Sequence, residues 1–387
     1  MVDSFMKKRR VIILGSSGSI GTSACKVARA LPERMEIVGL AVSRSTDALL
    51  EQVKEFKPKG VAVTNEHAAK NVKGKLPKGC KFFEDEKGLV ELVEEVKADM
   101  VLVAIVGTAG LAPALAALKT GKDLAVASKE ILVMAGEAVT TSAQKHKRMI
   151  LPVDSEHNAI FQCIENAKPK SVSRLILTAS GGPFRKTPKE EFSKITVEQA
   201  LNHPTWKMGK KITIDSATLF NKGLEMIEAH WLFGMPMSKV DVIVHPQSIV
   251  HSMVEFVDHS ILAQLSLSDM CFPIQYAVTY PERVHGNLPQ LDLAKIGALT
   301  FESPDPKKFP ALRLARTAGE TGGTLPAVFN AANEIAVEKF LRGAISFPKI
   351  WEMVEKVMQK HSPIKHPSLE QIIESDRWAR KEALQML

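Results

Sequence analysis

Two short polar stretches carry residues able to bind a hard cation. Asp154-Ser155-Glu156 follows the apolar run MILPV (149–153), and Asn221-Lys222-Gly-Leu-Glu225 lies near the expected start of a helix. Taken as extended chain, D-x-E points both carboxylates to one side, where they can share a divalent ion through oxygen. Asn221 and Glu225 are four apart and Lys222 and Glu225 three apart, so a helix puts them on one face. From spacing alone, a solvated D-x-E and a surface ion pair fit these stretches as well. A second set suits an anion. Ser180 precedes two glycines, Ser216 follows Asp215 just before the Asn221 helix, and both can donate to phosphate or merely cap a turn. Between them, His203-Pro-Thr-Trp206-Lys-Met208-Gly209-Lys-Lys211 reads either as a lid or as an anchored loop.

The elements that must position these groups are legible as rhythm. Apolar runs at 11–15, 36–42, 60–64, 99–107, 123–128 and 149–153 alternate with amphipathic helical stretches. Continuous apolar runs mark strands buried on both faces of a parallel sheet, and β-α alternation predicts a doubly wound, Rossmann-like fold. From 154 the pattern predicts an α+β region, with strands at 174–180, 240–246 and 248–257 and a helix near 218–233. SPDPKKFP (303–310) reads as linker and 311–387 as helices only. The expected division is therefore 1–153, 154–300, a linker at 301–310, and 311–387.

The first β-α turn is Gly15-Ser16-Ser17-Gly18-Ser19-Ile20-Gly21. Its glycines permit a tight turn and close approach of a pyrophosphate to a helix N-terminus. The spacing is GxxGxxG rather than GxGxxG, so position in the fold carries the argument. The second strand ends in Ser43-Arg44-Ser45, where an acid would hold a ribose 2′-hydroxyl. Arginine between two serines suits a 2′-phosphate instead, which favours NADP.

Bulk properties narrow the classes. The 387 residues carry a net charge of +8 with 6% aromatics, and no basic tract tracks a nucleic-acid backbone. Cys25, Cys80, Cys163 and Cys271 form no CxxC pair, so neither a disulfide framework nor a zinc-thiolate site is expected. No run approaches membrane-spanning length, and the apolar run that follows MVDSFMKKRR is too short for that of a signal peptide, so none is expected. A cytoplasmic protein is expected.

Taken in order, GSSGSIG, AIVGTAGLAP, ASKE, PVDSEHNAIFQ, TASGGPF, HPTWKMGKKITIDSATLFNKGLEMIEAHWLF, HPQSIVHSMVEF and FNAANEIAVEKFL resemble the 1-deoxy-D-xylulose 5-phosphate reductoisomerase family. The resemblance runs from about residue 10 to the C-terminal helices. It implies Asp154, Glu156 and Glu225 as ligands of Mg2+ or Mn2+. It implies Ser180, Ser216, Asn221 and Lys222 around the substrate phosphate, and Ser155, Lys129 and His203 at the sugar, with Lys129, Glu156 and His203 as catalytic groups. Trp206 and Met208 correspond to a flap over substrate and nicotinamide. The glycine turn, Ser43-Ser45, Ser128, Glu130 and Gly209 correspond to the NADPH site. The family is homodimeric. Ser128 stands where it usually has asparagine, and His259 and Ser266 where it usually has glycine.

The implied chemistry is a retro-aldol/aldol rearrangement of a sugar phosphate followed by hydride transfer to the aldehyde. Two other readings stay open from the residues alone. One is an NADP-dependent dehydrogenase of the semialdehyde or homoserine type, which needs no three-carboxylate metal site. The other is a non-catalytic NADP-binding regulator.

Overall fold

The structure, a computed structural model, describes residues 8–203, 206 and 208–386. They fall into two compact units. The first is built on seven parallel strands: β1 (Arg9–Leu14), β2 (Met35–Val42), β3 (Gly60–Val63), β4 (Lys81–Glu84), β5 (Met100–Val103), β6 (Asp123–Val126) and β7 (Ile150–Pro152). Their order, β4-β3-β2-β1-β5-β6-β7, runs outward from β1 in both directions, as the doubly wound reading requires. Every residue of β3 and β5 is buried, which is why those runs read as continuously apolar.

Two details differ from expectation. The run 99–107 forms a strand only to Val103, then leaves the sheet; Gly107 adopts φ 81° before a short 3-10 turn at Thr108–Gly110. The strand β4 shows no apolar run because Lys81 and Glu84 are exposed at the sheet's edge.

The first unit also claims residues 269–289. Their helix Cys271–Thr279 packs on the first helix, Ser19–Ala30. Arg9 at the start of β1 donates to the carbonyls of Ala277 at 3.2 Å and Tyr280 at 2.9 Å.

The second unit comprises 132–138, 159–268 and 290–387. Its sheet contains β8 (Val172–Ala179), β9 (Val240–Val244), β10 (Val250–Phe256) and β11 (Ile261–Leu265) in the order β11-β10-β8-β9. Pairing of β8 with β9 is parallel, and β10 is antiparallel to β8 and β11. Leu175 and Leu177 of β8 join Phe220, Leu224 and Phe329 in one core shared with the C-terminal helices. The stretch 303–310 contributes Phe309, 3% exposed, to that core, where its ring lies 5.8 Å from that of Phe192. The last helix, Leu369–Gln385, opens on a capping box between Ser368 and Gln371.

Among the described residues, no helix is long and apolar enough to cross a membrane.

At the centre of the second unit's core, Phe347 is fully buried, with ring centroids of Phe184, Phe340 and Trp351 at 5.2, 5.6 and 5.6 Å. Phe347→Ala removes these edge-to-face contacts and leaves a cavity, at a cost of about 3–5 kcal/mol. Denaturant unfolding should show that loss; a change under about 1 kcal/mol would mean the cluster collapses onto the gap.

Candidate functional site

In the first unit the glycine turn sits where the strand order reverses, between β1 and β5. Gly15 has φ 92°, and a Cβ there would stand 2.4 Å from the Ala104 carbonyl oxygen, so only glycine fits. Ser16 is fully buried and bonds inward. Its hydroxyl donates to Gln52 Oε1 at 2.7 Å, its carbonyl accepts from Gln52 Nε2 at 2.9 Å, and its N–H donates to the Ala41 carbonyl. Gln52 therefore fixes the turn, a role no motif announced. Gly18 and Ser19 are exposed, Ser17 and Ile20 partly so, and Gly18 begins the helix Ser19–Ala30 without a side-chain cap. The first-turn N–H groups of such a helix face outward and favour an anion. Ser43, Arg44 and Ser45 are exposed directly after β2, the neighbour of β1.

Ser128, 5% exposed, donates its hydroxyl to the Ile105 carbonyl, holding the segment that leaves β5. Lys129 and Glu130 follow, both buried, at the start of the helix Glu130–His146. Lys129 Nζ lies 2.7 Å from Asp154 Oδ2. Burial pushes the Asp154 carboxyl up, but the Lys129 ammonium, His157 and hydrogen bonding outweigh it and hold the group below the usual carboxylate range.

The D-x-E stretch is not extended. The strand stops at Pro152 and a helix spans Ser155–Ile164, so Ser155 and Glu156 occupy its first turn and Asp154 precedes it. The Asp154 carbonyl accepts from Asn158 N at 2.9 Å, and Ser155 Oγ donates to Glu156 Oε2 at 2.6 Å. An aspartate and a serine before an apolar helical pattern are helix-start signals, and they won over the strand-end reading.

In the second unit, His203 joins two serines. Its Nδ1 accepts the Trp206 backbone N–H at 2.9 Å, so the ring proton sits on Nε2, which lies 3.0 Å from Ser180 Oγ and 3.1 Å from Ser216 Oγ. Burial lowers the His203 pKa, which favours the neutral ring. Ser180 Oγ also accepts from Gly182 N at 3.3 Å, so both hydroxyls act as acceptors here and can turn their own hydrogens to an anion. The approach depends on Gly182, at φ 62°: a Cβ there would lie 2.9 Å from the Ser216 carbonyl oxygen.

Ser216 belongs to the helix Lys210–Thr218, capped by exposed Gly209. Leu219, at φ 62°, breaks it from the helix Phe220–Phe233, so the expected single helix near 218–233 is preceded by another. On the second helix, Asn221 Nδ2 donates to Glu225 Oε1 at 2.5 Å, and Lys222 Nζ bonds Glu225 Oε2. Lys222 and Glu225 are 3% and 1% exposed, which replaces the surface ion pair by a buried one. Trp206 and Met208 are partly buried, while Pro204, Thr205 and Lys207 lie outside the described residues.

Three family models cover most of the chain. One for 1-deoxy-D-xylulose 5-phosphate reductoisomerase matches residues 11–136, one for that enzyme's C-terminal domain matches 150–233, and one for the DXP reductoisomerase C-terminal domain matches 265–382. A 1-deoxy-D-xylulose 5-phosphate reductoisomerase of Pelotomaculum thermopropionicum is 50% identical over 382 residues, 98% of each chain. That of Chlorobium chlorochromatii is 53% identical over 376 residues, 97% of this chain and 98% of its own. The solved structure of the 1-deoxy-D-xylulose 5-phosphate reductoisomerase of Zymomonas mobilis in complex with NADPH superposes with a TM-score of 0.92 at 41% identity, covering 98% of this chain and 100% of that one. A DOX-P reductoisomerase in complex with NADPH, fosmidomycin and magnesium gives 0.89 at 39%, covering 97% of both. The chain belongs to the 1-deoxy-D-xylulose 5-phosphate reductoisomerase family.

Proposed function

We propose that this protein converts 1-deoxy-D-xylulose 5-phosphate to 2-C-methyl-D-erythritol 4-phosphate with NADPH and Mg2+ or Mn2+, a step toward isoprenoid precursors. The observation that carries the proposal is similarity to reductoisomerases along nearly the whole chain. Complexes of relatives with NADPH, magnesium and fosmidomycin support the cofactors and a phosphorylated substrate.

We assign the NADPH site to the turn Gly15–Gly21 and to Ser43, Arg44 and Ser45, with Ser128, Glu130 and Gly209 toward the nicotinamide. The exposed Arg44 guanidinium suits a 2′-phosphate. Asp154, Glu156 and Glu225 are the proposed cation ligands. They offer only carboxylate oxygen, the donor set that Mg2+ and Mn2+ prefer. When bound, the cation supplies Lewis acidity for the carbon-skeleton rearrangement and NADPH supplies the hydride.

The chain's own residues do the rest. Ser180 and Ser216, their acceptor positions occupied by His203, donate to the phosphate alongside Asn221 and Lys222. Lys129, already balancing Asp154, offsets negative charge at the sugar. Proton transfer at a sugar hydroxyl is assigned to Glu156, which accepts the Ser155 hydroxyl hydrogen, or to a water on the cation. Trp206 and Met208 cover the substrate and exclude water. Residues 1–153 thus serve the cofactor, 154–300 the chemistry and 311–387 their support. We also propose a cytoplasmic homodimer. Its support is the apolar edge strand β11, whose Ile261 and Leu262 are 49% and 51% exposed.

The direct test is NADPH oxidation with 1-deoxy-D-xylulose 5-phosphate, with and without Mg2+ or Mn2+. Turnover that needs both substrate and metal is expected; none under any metal would overturn the assignment. Arg44→Ala should weaken NADPH far more than NADH in fluorescence titrations, since charge-assisted bonds to phosphate are worth about 1.5–3 kcal/mol, roughly tenfold or more. Equal losses for both nucleotides would make Arg44 a bystander. Glu225→Gln should reduce cation affinity by at least the 10- to 100-fold order that even an outer-sphere partner is worth, leaving NADPH binding intact. Unchanged metal affinity would remove Glu225 from the ligand set.

A further inference from the structure

Asp215 immediately precedes Ser216 in the helix Lys210–Thr218 and is 1% exposed. Its carboxylate takes two donors: Lys211 Nζ at 2.5 Å from its own helix, and Asn333 Nδ2 at 2.8 Å from the helix Leu325–Leu341. Asn333 is fully buried. A carboxylate only accepts, so it dictates which end of the amide faces it. The other end, Asn333 Oδ1, has no hydrogen-bond partner among the described residues. This asparagine is therefore arranged around its donor, at the expense of its own acceptor.

The helix it grips needs a grip. Nine residues are too few to hold helical form alone, and the buried face is Thr213, Ile214, Asp215, Ala217 and Thr218. Such small or branched side chains form shallow ridges, which leave rotation about the helix axis weakly specified by packing. A directional bond to a buried charge specifies it. Successive side chains lie about 100° apart around a helix, so fixing Asp215 fixes the direction of Ser216.

We infer that Asn333 is a positioning residue for substrate binding: by holding Asp215 it sets the rotation of the helix Lys210–Thr218, and with it the direction in which the Ser216 hydroxyl meets the substrate phosphate. The inference rests on the reading that Ser216 binds that phosphate. Asn333 itself touches no reacting group. It lies 118 residues from Asp215 in sequence, in the C-terminal helices. Those helices then act on the chemistry through one amide.

Charged groups stand on the elements packed here, among them the buried Lys222, Glu225 and Glu228 of the helix Phe220–Phe233. Asp215 and Lys211 face Asn333 from the helix Lys210–Thr218. Glu334, the next residue, pairs with Arg380 of the last helix at 2.7 Å, and Arg380 also binds Asp376.

The test is steady-state kinetics of the full-length enzyme with NADPH and Mg2+, comparing wild type with Asn333→Ala, Asn333→Asp and Ser216→Ala, alongside melting temperatures. Asn333→Ala should raise KM for the sugar phosphate on the order of tenfold, with KM for NADPH and kcat within about twofold. In Asn333→Asp the new carboxyl can donate to Asp215 only while protonated. KM should stay near wild type on the acid side and climb as pH rises and the two acids repel, a step absent from the wild-type profile. This variant is nearly isosteric, so it decides the matter if Asn333→Ala does not fold. Ser216→Ala separates the two layers of the argument. If it raises KM while both Asn333 variants leave KM unchanged at every pH, Asn333 is structural only and the inference fails. If Ser216→Ala also leaves KM unchanged, the phosphate assignment of Ser216 has failed first.

Discussion

A carboxylate withdrawn from water needs positive charge nearby, and three acids at or beside the candidate site each pair with a lysine of their own unit. Asp154 has Lys129, Glu225 has Lys222, and Asp215 has Lys211. Desolvating either partner alone is expensive, and truncating one member of such a pair strands the other. The elements around these residues follow from that need. Lys129 ends the loop after β6 and begins a helix, so its ammonium reaches the acid after β7, the adjacent strand. Lys222 and Glu225 need helical spacing, and the Leu219 break starts a new helix just before them.

The hydrogen bonds around His203 set polarity rather than charge. A histidine that accepts through Nδ1 can only donate through Nε2, so the serines it meets become donors on their far side. Burial favours the neutral ring and so favours that direction. A protonated His203 could no longer accept the Trp206 N–H, so the tautomer and that hydrogen bond are one arrangement.

Much of this was legible from sequence because parallel strands buried on both faces write themselves as apolar runs. The strands β1, β2, β3, β5, β6 and β7 stood out in that way. β4, with Lys81 and Glu84 exposed, and β11, with Ile261 and Leu262 half exposed, did not, because neither is buried on both faces. At Asp154-Ser155-Glu156 the residue types were informative but the backbone was not, since a strand end and a helix start compete within two residues. Spacing placed Asn221, Lys222 and Glu225 on one face, and their burial needed the fold. The roles of Gln52 and Asn333 were invisible, because each acts on a residue far along the chain; Asn333 lies within the stretch FNAANEIAVEKFL, but nothing in that stretch points to Asp215.

The helix Cys271–Thr279 belongs to the first unit although the chain has meanwhile built β8 to β11 of the second. During synthesis, all seven strands of the first sheet leave the ribosome more than a hundred residues before the helix that packs on Ser19–Ala30. In that interval the nascent protein carries a finished sheet with one flank unsealed, and Arg9 lacks the carbonyls of Ala277 and Tyr280. At roughly 5–20 residues per second the exposure lasts many seconds, long enough for a chaperone to bind the bare face. Neither unit of this enzyme is a module that translation can finish before beginning the other.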